Sequence, residues 1–322
     1  MKSLYVIGNG FDCYGHNLKT KYIDFKEYLI RRFPDLDESF DGILETVMLP
    51  DGGEKYNMNE VVGSIIRTID ECSKPYWGNL EECLGCEFIS NIAYENEWAY
   101  NVTDLNEEDN SIFRSVYNNQ EMSNSIIGAY CLLKELFNDW VFSDLANIDY
   151  NSIRKFNKTP GFKRSLFLSF NYTSTLEVLY KVSNSNICYI HGNAKDRDSK
   201  IYFGHGDDSE FSGFMQYMGI EDAYNSLKRK LKKNTTQAIE DNYIFFKRIS
   251  KVRKIYSYGF SFSDVDMIYL EEICKYVNPN KVRWYFNMYD WKNNPEYIEK
   301  VRKLGFKIRI CRRWRNSHGD RV

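Results

Sequence analysis

The stretch Leu4-Tyr-Val-Ile-Gly-Asn-Gly-Phe-Asp12 decides the fold. Four consecutive apolar residues run straight into a Gly-Asn-Gly turn, with no alternation of polar and apolar positions. A strand of that kind is buried on both faces, which is the mark of a parallel sheet covered by helices. Two later runs repeat the pattern. Leu166-Phe-Leu-Ser-Phe170 ends in Asn171-Tyr172-Thr173, and Lys254-Ile-Tyr-Ser-Tyr258 ends in Gly259-Phe260-Ser261. Residues 282–287 and 306–310 are further candidate strands of the same sheet. So are residues 186–190 ahead of His191-Gly192, and residues 200–203 ahead of Gly204-His205-Gly206.

Helices are expected between these strands. Ser174-Thr-Leu-Glu177 has the S-x-x-E form of a capping box. Ser263-Asp264 is placed to cap a helix carrying Val265, Ile268, Tyr269, Ile273 and Tyr276, and Asn294-Pro295 opens another that Gly305 closes. Residues 34–160 differ in character: acidic clusters, a Gly52-Gly53 loop and amphipathic segments at 61–69 and 126–145. The expected class is therefore α/β, a Rossmann-like parallel sheet flanked by helices. Residues 1–33 and 161–322 form its core, and 34–160 a mainly helical insertion. A second helical segment at 221–252 carries Lys228-Arg-Lys-Leu-Lys-Lys233, read as a solvated basic face.

Composition narrows the function classes. Among 322 residues, Lys plus Arg is 43 and Asp plus Glu is 45, a net charge of −2 that excludes a wholesale electrostatic grip on nucleic acid. Only four histidines occur, His16, His191, His205 and His318, too few for a His-rich metal cluster. The eight cysteines lack the dense spacing of a disulfide scaffold, and Cys83 and Cys86 form a CxxC pair without a second one. No metal is expected. The N-terminal run is read as a strand and not a signal peptide, and no apolar run reaches the length of a spanning helix. The expectation is a cytoplasmic protein with reduced thiols.

In an open parallel sheet, ligands bind beyond the carboxyl ends of the strands, where strand order reverses. Gly8-Asn9-Gly10-Phe11-Asp12 stands at one such end, though the full G-x-G-x-x-G fingerprint fails because Cys13 occupies the third glycine position. Glycines there would let backbone amides approach a phosphate. Asn171 can cap the next helix or hold a sugar hydroxyl. His191, at a strand end, suits proton transfer near neutrality, with His205 and His16 as competitors. Gly259 and Ser261 could reach ribose or phosphate, and Asp264 or Asp266 could accept from ribose hydroxyls.

Taken in order, Ile7-Gly-Asn-Gly-Phe-Asp12, Phe170-Asn-Tyr-Thr173, Ile190-His-Gly192, Gly204-His-Gly206 and Gly259-Phe-Ser-Phe-Ser-Asp-Val-Asp266 resemble the AbiH abortive-infection family of bacterial phage defence. That family in turn resembles sirtuins. The first loop is similar to the sirtuin G-A-G-x-S loop, and Asp24-Phe25 to the Asp-Phe that follows it. Asn171 falls at the Asn of the T-x-N-x-D motif, flanked by Tyr172 and Thr173. His191 falls at the catalytic His, and Gly259 and Ser261 at the late G-x-S that holds the adenosine side of NAD. Two positions depart: Thr173 stands where the motif has Asp, and Asp12 where the loop has Ser. The sirtuin zinc module is missing, which argues against protein deacylation.

The resemblance implies a sirtuin-like core that binds NAD, and an antiphage effector that hydrolyses the nicotinamide–ribose bond. Asn171 and His191 would be catalytic. Gly8, Asn9, Gly10, Phe11, Asp12, Asp24, Phe25, Tyr172, Thr173, His205, Gly259, Ser261, Asp264 and Asp266 would contact the ligand, with Phe25 shielding the nicotinamide. The alternatives are a sensor that binds NAD or ADP-ribose without turnover, and an effector directed at nucleic acid through 228–233 and the basic tail at 312–315. Expected partners are NAD or a related nucleotide, further copies of the chain, and a phage-derived trigger or companion defence protein, but no membrane.

Overall fold

The apolar runs become strands. The computed structural model describes residues 3–37, 42–44, 46–104, 109–155, 161–214 and 216–311. The basic tail at 312–315 and His318 lie outside the described residues. The strands are β1 (Leu4–Ile7), β2 (Thr46–Met48), β3 (Glu54–Tyr56), β4 (Leu166–Ser169), β5 (Ile187–Tyr189), β6 (Lys254–Tyr258), β7 (Arg283–Phe286) and β8 (Lys307–Ile310). Six of them form one sheet in the order β5-β4-β1-β6-β7-β8, every neighbouring pair parallel. The chain builds outward from β1 to one side and then returns to build the other. That is the Rossmann order, with its switch point between β1 and β6.

Period-two geometry divides the strand side chains between two cores. Leu4, Val6, Leu166, Leu168 and Ile255 face one, completed by Tyr269, Leu270 and Ile273 of the helix Asp264–Tyr276. Tyr5, Ile7 and Phe167 face the other, with Leu176, Leu179 and Tyr180. On this second face a row of stacked rings crosses the strands in register. Tyr5 lies 5.1 Å from Phe167 and 4.9 Å from Tyr256, which lies 4.8 Å from Tyr285. Such cross-strand aromatic pairs each add up to about 1 kcal/mol beyond simple burial.

The described residues group into two compact units. The first, Met1–Lys21, Trp140–Tyr202 and Asn234–Val322, carries the sheet. The second, Tyr22–Asp139 and Phe203–Lys233, is mostly helical, with β2 and β3 paired as an antiparallel hairpin. Its partition differs from boundaries at 33 and 160. The helix Tyr22–Arg32 buries Phe25 against Trp77 and Phe137, and the helix Glu221–Leu231 packs on the helices Asp109–Tyr130 and Cys86–Glu95.

Three local expectations are corrected. Residues 200–203 add no strand. The turn at Gly192 (φ 102°) sends the chain back beside its own path, and a single bond, Tyr202 N to His191 O at 2.9 Å, is made. The capping box does not close: Ser174 makes no side-chain cap, and Glu177 instead accepts from Tyr189 Oη at 2.8 Å. The basic run is only partly a solvated face, with Arg229 and Lys230 exposed. Lys228 and Lys233 are buried and paired with Asp207 and Glu81, and Lys232 pairs with Asp208. Cations removed from water keep their charge only when paired, so their partners absorb the positive field the run displays in sequence.

At the switch point, the loops after β1 and β6 touch backbone to backbone. Gly8 N donates to Tyr258 O (3.1 Å) and Gly10 N to Gly259 O (2.9 Å). Gly259 has φ 63°, and a Cβ there would lie 2.2 Å from Phe11 N. Gly259→Ala is expected to cost about 3 kcal/mol or more. Gly52→Ala, also at positive φ but with nothing within 4 Å, should cost only about 1–2 kcal/mol. Urea denaturation midpoints of the two variants read the difference; equal losses would contradict the close contact.

Candidate functional site

The site is assembled in the first unit from the carboxyl ends of β1, β4 and β5 and the first turn of the helix Asp264–Tyr276. Beyond β1 the chain turns at once into the short helix Gly10–Cys13. This helix aims Asp12 inward, fully buried. Asp12 Oδ2 accepts from Asn171 Nδ2 at 2.8 Å and from the Thr173 hydroxyl. Thr173 Oγ1 lies 3.0 Å from Thr175 Oγ1, and Tyr150 Oη lies 3.4 Å from the latter. Burial pushes the Asp12 carboxyl up to about 6, against hydrogen bonds from Thr173, Thr175 and Asn171 that pull it down. A buried carboxyl poised near neutrality suits proton transfer or the stabilisation of nearby positive charge.

His191 follows β5 in a box of rings. Phe170 stands edge-on at 5.1 Å, Tyr269 at 5.6 Å and Tyr172 at 6.2 Å. Its Nε2 lies 3.2 Å from Asp266 Oδ1, without the geometry of a hydrogen bond. Ser263 Oγ donates to the other oxygen of Asp266 at 3.1 Å. Asp266 is therefore held by the helix start and faces the imidazole.

Three buried polar atoms at these strand ends have no hydrogen-bond partner among the described residues: Asp12 Oδ1, Asn171 Oδ1 and His191 Nε2. Each such group costs roughly 1–3 kcal/mol when left unsatisfied. The two oxygens of the bonded pair Asp12 and Asn171 are what a polar ligand with hydroxyls would relieve.

Not every candidate residue joins this cluster. Most amides of the glycine loop are already bonded. Besides Gly8 and Gly10, Phe11 N donates to Gly8 O and Asp12 N and Cys13 N to Asn9 O, so these amides are consumed within the protein. The Asn9 side chain is spent on Thr20, donating to Thr20 O (2.7 Å) and accepting from Thr20 Oγ1 (2.6 Å). Phe11 lies in the core against His16 (4.6 Å), Tyr180 and Tyr258. His16 is structural: Nδ1 meets Phe11 O at 2.7 Å and Nε2 meets Tyr180 Oη at 2.8 Å, and burial pushes the imidazole down to about 4. Ser261 is exposed, and Asp264 pairs with Lys300 at 2.7 Å at the surface.

Asp24, Phe25 and His205 belong to the second unit. Asp24 sits half-buried in the first turn of its helix, and Phe25 is wholly enclosed, presenting no free face to a nicotinamide in this conformation. Both His205 nitrogens are engaged, Nε2 with Lys228 O (2.8 Å) and Nδ1 with Asp207 N (3.1 Å). Thr175, Tyr150 and Ser263, which sequence reasoning missed as part of the cluster, carry hydroxyls whose roles depend on long-range contacts. Only the Thr-x-Thr spacing of 173 and 175 hinted at one of them. No group of three or more His, Cys, Asp or Glu side chains suited to a metal occurs among the described residues.

Fold and site together define a Rossmann-order α/β protein with a buried carboxylate–amide pair and a buried imidazole at the carboxyl ends of its strands. The chain belongs to the bacteriophage abortive infection AbiH family, whose model matches residues 4–288, and this places it in phage defence by abortive infection. No curated protein and no solved structure matches it. No described helix is long and apolar enough to cross a membrane.

The raised Asp12 value has a sign that can be measured. A carboxyl whose folded value lies above its unfolded one contributes stability present below the unfolded value, near 4, and lost as pH rises through about 6. Relative to Asp12→Asn, the wild type should therefore lose on the order of 3 kcal/mol of stability between pH 4 and pH 6 and little more above it. Parallel stability–pH curves for the two proteins would contradict the assignment.

Proposed function

We propose that this chain is an NAD hydrolase that breaks the bond between ribose C1′ and nicotinamide, and that its turnover executes abortive infection. The single observation that carries this reading is the bonded Asp12–Asn171 pair, each with an oxygen left without a hydrogen-bond partner among the described residues, at the carboxyl ends of a Rossmann-order sheet that also carries His191. The sirtuin resemblance of the same residues supports it. The ribose end of NAD fits this donor set: two carbonyl-type oxygens for hydroxyls or water, and an imidazole to take a proton. The pyrophosphate end finds less, since the glycine-loop amides are already bonded.

Loss of nicotinamide leaves positive charge on the ribose ring, so the transition state is oxocarbenium-like. The Asp12 carboxylate, ionised above about pH 6, supplies a fixed negative charge in a low-dielectric site, where it acts most strongly. By binding Asn171 Nδ2 it also fixes that amide with Oδ1 turned away, toward a water or ribose hydroxyl. His191, backed by Asp266, accepts the proton from the attacking water. Asp12, Asn171, Thr173 and His191 are all buried, so substrate entry requires an opening of the site. Such closure suits an effector held silent until infection. It equally favours a second reading, in which the cluster binds NAD or ADP-ribose as a sensor without turnover.

Nicotinamide release from NAD, followed with purified protein and in phage-infected cells, tests the proposal. His191→Ala and Asn171→Ala should each lower the rate by on the order of 10²–10⁴. Exchanging the hydrogen-bonded pair is more discriminating. Asp12→Ser alone should be nearly inactive, and Asp12→Ser with Thr173→Asp should recover part of the rate, because the carboxylate–hydroxyl contact is restored from the opposite side. Saturable NAD binding with no product in infected cells would select the sensor reading; neither binding nor release would end both.

A further inference from the structure

A second cluster of reactive groups lies in the helical unit. Cys86 opens the helix Cys86–Glu95 and is exposed. Its Sγ lies 2.8 Å from Asp207 Oδ2, 3.1 Å from Ser209 Oγ and 3.3 Å from Lys228 Nζ. Lys228 is buried, and its ammonium also donates to Asp207 Oδ2 and Ser209 Oγ, each at 2.8 Å. Burial works to raise the Asp207 carboxyl, but hydrogen bonds from Cys86, Lys228 and Ser209 outweigh it and hold it well below the usual range. One accessible thiol thus sits 3.3 Å from a buried ammonium whose charge can stabilise the thiolate.

The other reactive candidates lack this setting. Cys13, Cys83, Cys188 and Cys311 are buried. Cys131 has Lys230 Nζ at 3.5 Å, but no carboxylate among the described residues is bonded to that pair. Cys72 lies 2.8 Å from Cys83 and offers a thiol partner rather than an amine.

We propose that Cys86 and Lys228 form a modification site at which hydrogen peroxide joins the thiol to the amine through a sulfur–nitrogen bond. In the first step the thiol releases its proton to solvent and the thiolate, held beside the Lys228 ammonium, attacks one peroxide oxygen. The S–O bond forms, the O–O bond breaks, and the leaving hydroxide takes a proton from solvent to become water. Sulfur is oxidised to sulfenic acid by two electrons, and peroxide is reduced. In the second step Lys228, having released its extra proton to solvent, attacks the sulfur. The N–S bond forms, the S–O bond breaks, and hydroxide leaves with an amine proton as a second water. The net change is one peroxide consumed, two waters formed and two hydrogens lost from the protein. The product ties the start of one helix to the helix Glu221–Leu231, against which it already packs.

The test treats the reduced full-length protein with hydrogen peroxide and maps it by proteolysis and tandem mass spectrometry. The expected result is a Cys86–Lys228 cross-linked peptide, lighter by two hydrogens and opened again by dithiothreitol. Peptide mapping separates it from a Cys72–Cys83 disulfide, which has the same intact mass. Lys228→Met should abolish the link and leave a sulfenic acid at Cys86 that dimedone traps. Lys228→Arg keeps the cation and guards against misfolding of the first variant; it should behave likewise. Cys86 remaining freely alkylatable after peroxide, or Cys131 reacting ahead of it, overturns the proposal.

Discussion

The contact on which the first unit depends is the interlock of the loops leaving β1 and β6. Two backbone bonds, Gly8 N to Tyr258 O and Gly10 N to Gly259 O, are each worth only about 1 kcal/mol net. Their weight comes from the absence of side chains. A Cβ on Gly8 would lie 2.5 Å from Gly259 O, and one on Gly10 2.7 Å from Gly259 Cα. Three glycines therefore meet where any other residue would force the strand ends apart. In a dinucleotide-binding Rossmann fold, glycines after the first strand make room for a pyrophosphate. Here the second loop fills that room, and the glycines serve a protein–protein backbone contact within one chain. The interlock also sets the direction in which each loop continues. Asp12 turns inward on the helix Gly10–Cys13, and Phe260 and Phe262 enter the core ahead of Asp266.

The same constraint separates the features that are legible in sequence from those that are not. Strands such as Leu4–Ile7 and Lys254–Tyr258 are apolar along most or all of their length, and their two-faced burial follows from that pattern alone. The strand ends then place Asn171 and His191 at the carboxyl edge without further information. The aspartate of the first loop is harder. A charged residue in a turn reads as solvent-exposed, and only its hydrogen bonds to Asn171 and Thr173, some 160 positions away, make burial tolerable. The basic run shows the same limit. Lys228 and Lys233 read as a solvated face because their partners, Asp207 and Glu81, are not neighbours in sequence. The glycine loop misleads in the opposite direction: its spacing advertises free amides, and the amides are engaged.

Asp12 Oδ1, Asn171 Oδ1 and His191 Nε2 are buried without a hydrogen-bond partner among the described residues, a cost that the proposed ligand would offset. In the proposed reaction this preorganisation matters more than the closeness of any one pair. The carboxylate is already desolvated, and the amide is already turned, before substrate arrives.

The position of the carboxylate also bears on control. The acid stands on the first loop and its hydroxyl partner, Thr173, on the strand-end motif. The charge therefore rides on the loop that β6 locks in place. A displacement of Gly259 away from Gly10 therefore acts on the fold and on the charge together, since Asp12 is two residues from the interlock. With the acid on β4, the same displacement would leave it in place. Placing the acid on the first loop thus couples the site's electrostatics to the switch point itself, which is a short physical route by which opening the loops could turn the proposed activity on or off.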